Sequence, residues 1–188
     1  MKKFRIFIAS PGDVRDERNI VSLIIEELRR TLGNALNIEL EAVRWETHVW
    51  PDTGDDAQDV VNNEIGEYDV LVGIMWKHFG TPTGRADSGT QEEFKRAYDY
   101  FRRYGRPKIM FYFKTMPFYF RDISSIRQFT RVLNFKSKLE DLGVLYWEYV
   151  DNLEFERRVR EHLVRQVLQL AKPTYETKPE DQAMLGKL

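Results

Sequence analysis

The chain has 188 residues, 42% hydrophobic and 31% charged, with a net charge of -1. That is the balance of one ordinary globular domain, not the strongly basic profile of a dedicated nucleic-acid binder. Cysteine is absent, so disulfides, thiolate zinc sites and a cysteine nucleophile are excluded, and His48, His78 and His162 lack metal-ligand spacing.

No apolar run approaches the roughly 20 residues of a membrane span. The apolar part of the opening MKKFRIFIAS is too short for a signal peptide and is followed at once by Pro-Gly-Asp. The expectation is a cytoplasmic protein that contacts neither nucleic acid nor membrane directly. FRIFIAS (Phe4 to Ser10) reads as a first strand ending at Pro-Gly. Asp13 is placed to cap the following helix, with Asp16 and Glu17 in its first turn. Ile20, Val21, Ile24, Ile25, Leu28 and Leu32 recur at helical spacing, and Gly33 supplies the stop. IELEAVRWE (Ile38 to Glu46) alternates as a second strand, and a loop with Pro51 and Gly54 leads to a short helix around Ala57 to Ile65. YDVLVGIMW (Tyr68 to Trp76) is almost wholly apolar, which predicts a central strand covered on both faces. The glycine-bearing loop KHFGTPTGRADSGT opens a helix, and PKIMFYF (Pro107 to Phe113) follows as a fourth strand. Ser124 to Leu142 is a helix, VLYWEYV (Val144 to Val150) a fifth strand and Leu153 to Leu170 a closing helix.

This alternation predicts an α/β three-layer sandwich: a five-stranded, mostly parallel sheet with helices on both faces, filling residues 1–172. Residues 173–188 are polar and proline-bearing, and read as a tail or as a linker to a further domain. In such sheets ligands bind at the carboxyl ends of the strands, which selects the loops Ser10 to Asp13, Trp45 to Asp56 and Lys77 to Thr90. The first loop has no phosphate-binding glycine signature. It still presents amides and a hydroxyl at a helix start, and is either that start alone or a ligand loop. Trp45, Trp50 and Trp76 fall at or just beyond strand ends, where a ring stacks a ligand base or packs the rim. Trp76 closes a strand buried on both faces and is expected in the core, whereas Trp50 lies in a loop beside Pro51. Eight acids and no Lys or Arg lie between Glu46 and Asp69, while Lys114 to Lys138 carries six basic residues against one acid. A solvated face is the simpler account of the acidic run; complementary patches would favour self-association.

Glu92 and Glu93 pose the sharpest question. At about 100° per residue, Phe94, Ala97, Tyr98, Phe101 and Tyr104 share one apolar face, with Glu92 opposite it and Glu93 at its edge. Glu92 is therefore expected in solvent and Glu93 on the rim of the crevice. Thr90-x-x-Glu93 also matches a capping box, in which the glutamate bonds back to the helix start. Spacing alone favours this cap.

The combination FIASPGDVRDER, VRWETHVWP, YDVLVGIMWKHFGTPTG and SGTQEEFKRAY resembles a TIR-like domain family long known only as a domain of unknown function, over about Phe4 to Phe113. Its members commonly sit at the N-terminus of STAND-type NTPase or repeat proteins, bacterial antiphage sensors among them. The family is similar to TIR domains and, more distantly, to nucleoside deoxyribosyltransferases, which use a glutamate to cleave an N-glycosidic bond at a ribose. The resemblance implies a flavodoxin-like, TIR-like fold. It also implies an NADase that takes NAD as substrate and releases nicotinamide with ADP-ribose or a cyclised product, without metal or cofactor. The transferases' Gly-Thr-x-x-Glu pattern, with alanine four residues on, fits Gly89, Thr90, Glu93 and Ala97 and makes Glu93 the catalytic residue. By the same resemblance Ser10, Asp13, Trp45, Trp50, Trp76, His78, Ser88 and Thr90 line the substrate cleft. The tryptophan-cysteine-x-x-glutamate pattern of many TIR enzymes is absent, and His78 stands where relatives would carry arginine. Two rivals stay open: an adaptor that only self-associates with other TIR-like domains, and a deoxyribosyltransferase acting on free nucleosides. The tail suggests a fused STAND or repeat sensor as partner.

Overall fold

The computed structural model describes residues 1–44, 67–82 and 87–172. Its elements run β1 (Lys2–Ala9), one 3₁₀ turn (Gly12–Val14), α1 (Arg15–Leu36), β2 (Ile38–Val43) and β3 (Val70–Met75). They continue with α2 (Gly89–Tyr104), β4 (Lys108–Lys114), α3 (Ile123–Asp141), β5 (Tyr146–Tyr149) and α4 (Asn152–Ala171). The five strands are all parallel, in the order β2-β1-β3-β4-β5. This is the flavodoxin-like doubly wound order. The short helix expected around Ala57 to Ile65 and the 173–188 tail lie outside the described residues.

β3 is buried at every position, as an unbroken apolar run demands of a strand covered on both faces. Alternate residues feed opposite layers. One face packs Ile6, Ile8, Val72, Ile74 and Tyr112 against α1 and α4; the other packs Phe7, Leu71, Met75, Phe111 and Phe113 against α2 and α3. Each fully buried side chain of this size contributes about 1.5–3 kcal/mol, so the two apolar layers dominate the cohesion. Gly73 marks the closest approach in the sheet. A Cβ there would lie 2.1 Å from the ring of Phe111, its register partner on β4. Phe111 meets Phe94 of α2 and Phe135 of α3 edge-on, at 6.1 and 5.4 Å between ring centres, a geometry aromatic pairs favour. Phe94 thereby anchors α2.

Two helix ends depart from the sequence expectation. α1 does not stop at Gly33: it continues to Leu36 and ends at Asn37, whose φ is 53° and whose N–H bonds to the Gly33 carbonyl. Asparagine enters the left-handed region more readily than most residues, so it replaces glycine as the terminator. Asp13 does not cap α1 either. It lies within the 3₁₀ turn, and α1 follows Val14 with no side-chain cap. By contrast, α3 and α4 start at Asp122 and Asp151, whose carboxylates accept from the N–H groups of Ser125 and Glu154. No described helix is long and apolar enough to cross a membrane.

Candidate functional site

The chain order reverses between β1 and β3, and the crevice at the carboxyl ends of those strands is where such folds receive ligands. The loop after β3 delivers α2 to this end. Buried Ser88 is its N-cap: the Oγ accepts from Gln91 N at 3.1 Å, while Gln91 Oε1 accepts from Asp87 N at 3.0 Å. The capping pair is Ser88 with Gln91, not Thr90 with Glu93. Thr90 sits inside the first turn, so the Thr90-x-x-Glu93 capping box that spacing favoured is not the helix start. Ser88 itself is committed to the cap and to packing, since a Cβ on Gly80 would lie 3.1 Å from its Cβ.

Glu92 and Glu93 are both buried, each 7% exposed, and neither is without a partner. The expected solvent-facing Glu92 is therefore corrected. Helical phase identifies the side that meets the sheet, but a helix start set among loops is covered on further sides. The converse holds at the other end, where Phe101 and Tyr104 share the apolar face yet are exposed. An apolar stripe is buried only as far as another layer covers it; here Lys108 stands 5.9 Å from the Phe101 ring centre and Tyr100 meets Tyr104 at 4.5 Å. Glu93 lies near Tyr68, which packs on Phe7 of β1 at 5.1 Å. Burial pushes the Tyr68 hydroxyl pKa up; Arg96 opposes the rise and the charge of Glu93 adds to it.

Asp13 ties the turn after β1 to the loop after β3. Its Oδ2 accepts the backbone N–H groups of Lys77 at 3.2 Å and His78 at 3.0 Å. An internal carboxylate thus holds amides of the kind that bind phosphate in other folds. Burial pushes the Asp13 pKa up, and the two amide bonds oppose the rise. Ser10 follows β1 directly, 8% exposed, with no hydrogen-bond partner for its Oγ among the described residues. The His78 side chain is exposed.

Trp76 is not a fully buried core residue. It falls just past β3 and is half-buried, its Nε1 donating to the Met116 carbonyl at 3.0 Å. The ammonium groups of Lys77 and Lys114 stand 3.7 and 5.0 Å from its ring centre, and Phe118 meets it edge-on at 5.7 Å. The indole is held by cations and its own N–H rather than presented for stacking. Trp45 and Trp50 lie outside the described residues. The structure thus brings Ser10, Asp13, His78, Ser88, Thr90 and Glu93 to one end of the sheet, with Ser88 and Trp76 already engaged by protein groups.

Sequence reasoning missed two participants. Glu17 had been read only as a first-turn acid, yet its Oε1 lies 2.6 Å from Lys114 Nζ, at side-chain exposures of 3% and 12%. Lys114 also reaches Asn152 Oδ1 at 3.4 Å. Tyr149, close by, has its hydroxyl pKa pushed up by burial and then by the charge of Glu17. The available signal was the lysine that closes the apolar strand KIMFYFK. The second participant is Gln128 of α3, whose Oε1 accepts from Phe79 N at 2.8 Å; nothing in its local sequence marked it.

The basic segment Lys114 to Lys138 is no uniform patch either, because Lys114 is paired internally and Lys136 pairs with Glu148. Among the described residues, no group of three or more His, Asp or Glu could hold a metal ion. A groove of about 650 Å³ between α2 and α3 is lined by Gln91, Phe94, Lys95, Phe135 and Lys138 among others, and Glu93 does not line it.

The chain belongs to the family described as "Domain of unknown function (DUF4062)", which matches residues 5–164. Comparison with curated proteins found no match. Among solved structures it is similar to the flavodiiron protein from Giardia intestinalis, at 10% identity and a TM-score of 0.41, over 91% of this chain and 37% of that one. The chain therefore spans little more than a third of that structure's length. The fold class rests on strand order and register, not on this likeness.

Proposed function

We propose that this chain is a TIR-like effector domain that cleaves the N-glycosidic bond of NAD, with Glu93 as the reacting carboxylate. The products are nicotinamide and ADP-ribose, or a cyclised form. One observation supports the reading: Ser88, not Thr90, caps α2, and that helix carries Glu93 within its first turn and a half, buried at the carboxyl end of the sheet. Buried ionisable groups in a crevice are where chemistry concentrates.

The chemistry asks little else of the protein. When nicotinamide leaves, C1′ of the ribose carries oxocarbenium-like positive charge, and a fixed carboxylate stabilises it as carboxylates do in glycoside hydrolysis. The same group accepts from ribose hydroxyls and holds the sugar in place while water, or a second nucleophile of the substrate, attacks C1′. Ser10, His78 and Thr90 frame the cleft around it. A place in antiphage or immune-type signalling, joined to a STAND or repeat sensor, is part of this proposal and comes from the sequence resemblance.

A non-enzymatic self-associating module is the second reading. Its support is an exposed apolar stretch after β4, comprising Met116, Tyr119, Phe120, Ile123 and Ile126; grouped surface apolar residues mark interaction sites. The test incubates the purified chain with NAD over a range of protein concentrations and follows nicotinamide release by wild type and Glu93→Gln. Release by wild type, reduced about 10²–10³-fold in the variant, is expected. Filaments without release favour the adaptor, and base exchange on deoxynucleosides favours a transferase.

A further inference from the structure

Three successive backbone N–H groups follow β3, at Lys77, His78 and Phe79, and they are taken from two sides. Asp13, in the turn leading to α1, accepts the first two at 3.2 and 3.0 Å; Gln128, on α3, accepts the third at 2.8 Å. The Phe79 ring, 2% exposed, is seated edge-on against Phe135 at 5.9 Å. Gly80 then turns at a φ of 109°, a conformation that favours glycine, and Ser88 packs directly on it. Ser88 starts α2, and Glu93 follows within the next turn and a half.

We propose that Asp13 and Gln128 are positioning residues: together they clamp the loop between β3 and α2 from the two faces of the sheet, and so set where α2 presents Glu93. The proposal rests on the reading of Glu93 as the reacting carboxylate. Its leverage is geometric, because a displacement of about 1 Å in a reacting group costs about 10²-fold in rate.

The chemistry of Asp13 separates a clamp from plain packing. One carboxylate oxygen serves two amides, which makes both bonds charge-assisted. Burial nevertheless disfavours the ionised form, so its folded-state pKa is raised. A raised folded pKa means that the group's stabilising contribution is present below its unfolded pKa and lost as pH rises through the folded one. Above the folded pKa the charge therefore works against stability. Asparagine would accept the two amides through a neutral and therefore weaker acceptor, and would place its NH2 where Oδ1 is buried without a partner among the described residues. Among the described residues, the charged and titratable groups around Asp13 include Lys77 and His78 on the loop, Tyr149 on β5, Glu17 on α1 and its partner Lys114 on β4.

The experiment uses the full chain labelled with ¹⁵N, as wild type, Asp13→Asn, Gln128→Ala and Gln128→Glu. Amide exchange, amide shifts against pH, thermal melting and NAD turnover are measured on each. In the wild type the Lys77 and His78 amide protons should shift together as the carboxylate protonates, while the Phe79 amide, held by a neutral group, stays still. Asp13→Asn should abolish that step. Asp13→Asn and Gln128→Ala should each speed exchange in the loop and at Gln91, and lower kcat about 10- to 100-fold with little change in KM. Gln128→Glu should restore both readouts. The proposal is overturned if the two amides ignore the carboxylate, if Gln91 keeps its protection in both loosened variants, or if turnover stays at the wild-type level while the loop loosens. A wild type that leaves NAD uncut removes the Glu93 reading, and the amide shifts with Gln91 exchange then decide the clamp by themselves.

Discussion

Glu17 and Glu93 are both buried glutamates close to helix starts at the same end of the sheet, on opposite faces. The charge of Glu17 is met within the fold by Lys114, at 2.6 Å, with Tyr149 and Asn152 closing around the pair. Glu93, which is partnered too, rides on a helix placed by a serine cap, an aromatic anchor at Phe94 and a loop held by distant side chains. A carboxylate given its own ammonium is bound into the architecture. One positioned by a loop and a cap at a strand-end crevice is where a ligand's developing charge can be met. The two predict opposite responses to substitution.

The largest expected effect lies on the Glu17 side. Lys114→Met leaves a buried carboxylate without its counter-charge and should destabilise the fold by about 3–5 kcal/mol, read as a lower urea midpoint. Adding Glu17→Leu should recover most of that loss, because the double variant has no charge left to desolvate. A single variant as stable as the wild type would mean that the pair is solvated in solution and the contrast is lost.

Next comes Glu93→Gln. It should cut turnover by about 10²–10³, equivalent to about 3–4 kcal/mol in the transition state, while stability shifts by no more than about 1 kcal/mol. If instead its melting loss matches that of Lys114→Met, Glu93 belongs with Glu17 as a structural charge. Ser88→Ala is smaller, with loss of the cap costing about 1 kcal/mol. It should lower turnover beyond what the folded fraction explains, whereas Thr90→Ala should leave the cap intact.

The smallest effect concerns the face that carries Glu17. His162 Nδ1 lies 2.8 Å from the Tyr112 hydroxyl, and burial lowers the His162 pKa. A histidine with a lowered folded pKa contributes stability above its unfolded value of about 6.5, and that contribution is lost as pH falls through the folded value. Melting should therefore drop slightly more steeply below about pH 6.5 in the wild type than in His162→Gln. Equal slopes would place the imidazole in solvent.

The layers of the fold were legible because they depend on period. VLVGIM could only be a strand buried on both sides, and its place in the middle of the sheet follows. Helix starts were less legible. SGTQEE offers two cap residues two positions apart; the one used, Ser88, also packs on Gly80, a contact that no local pattern encodes. Asp13 failed as a cap for a similar reason: its partners are amides 64 and 65 residues away. Glu17 finds its lysine across 97 residues, which periodicity does not reach. The helical wheel misjudged Glu92 because it knows the face of a helix but not the loops around its start.

In the middle of the sheet, Gly73 and Phe111 are complementary in volume, the ring filling the space that any Cβ would claim. Neither position can change size alone. Alanine at 73 would displace a ring held between Phe94, Phe113 and Phe135, and a smaller residue at 111 would leave a void beneath α2. As the sequence drifts, the two positions must exchange volume in concert, and the ground they share lies under the helix that carries Glu93.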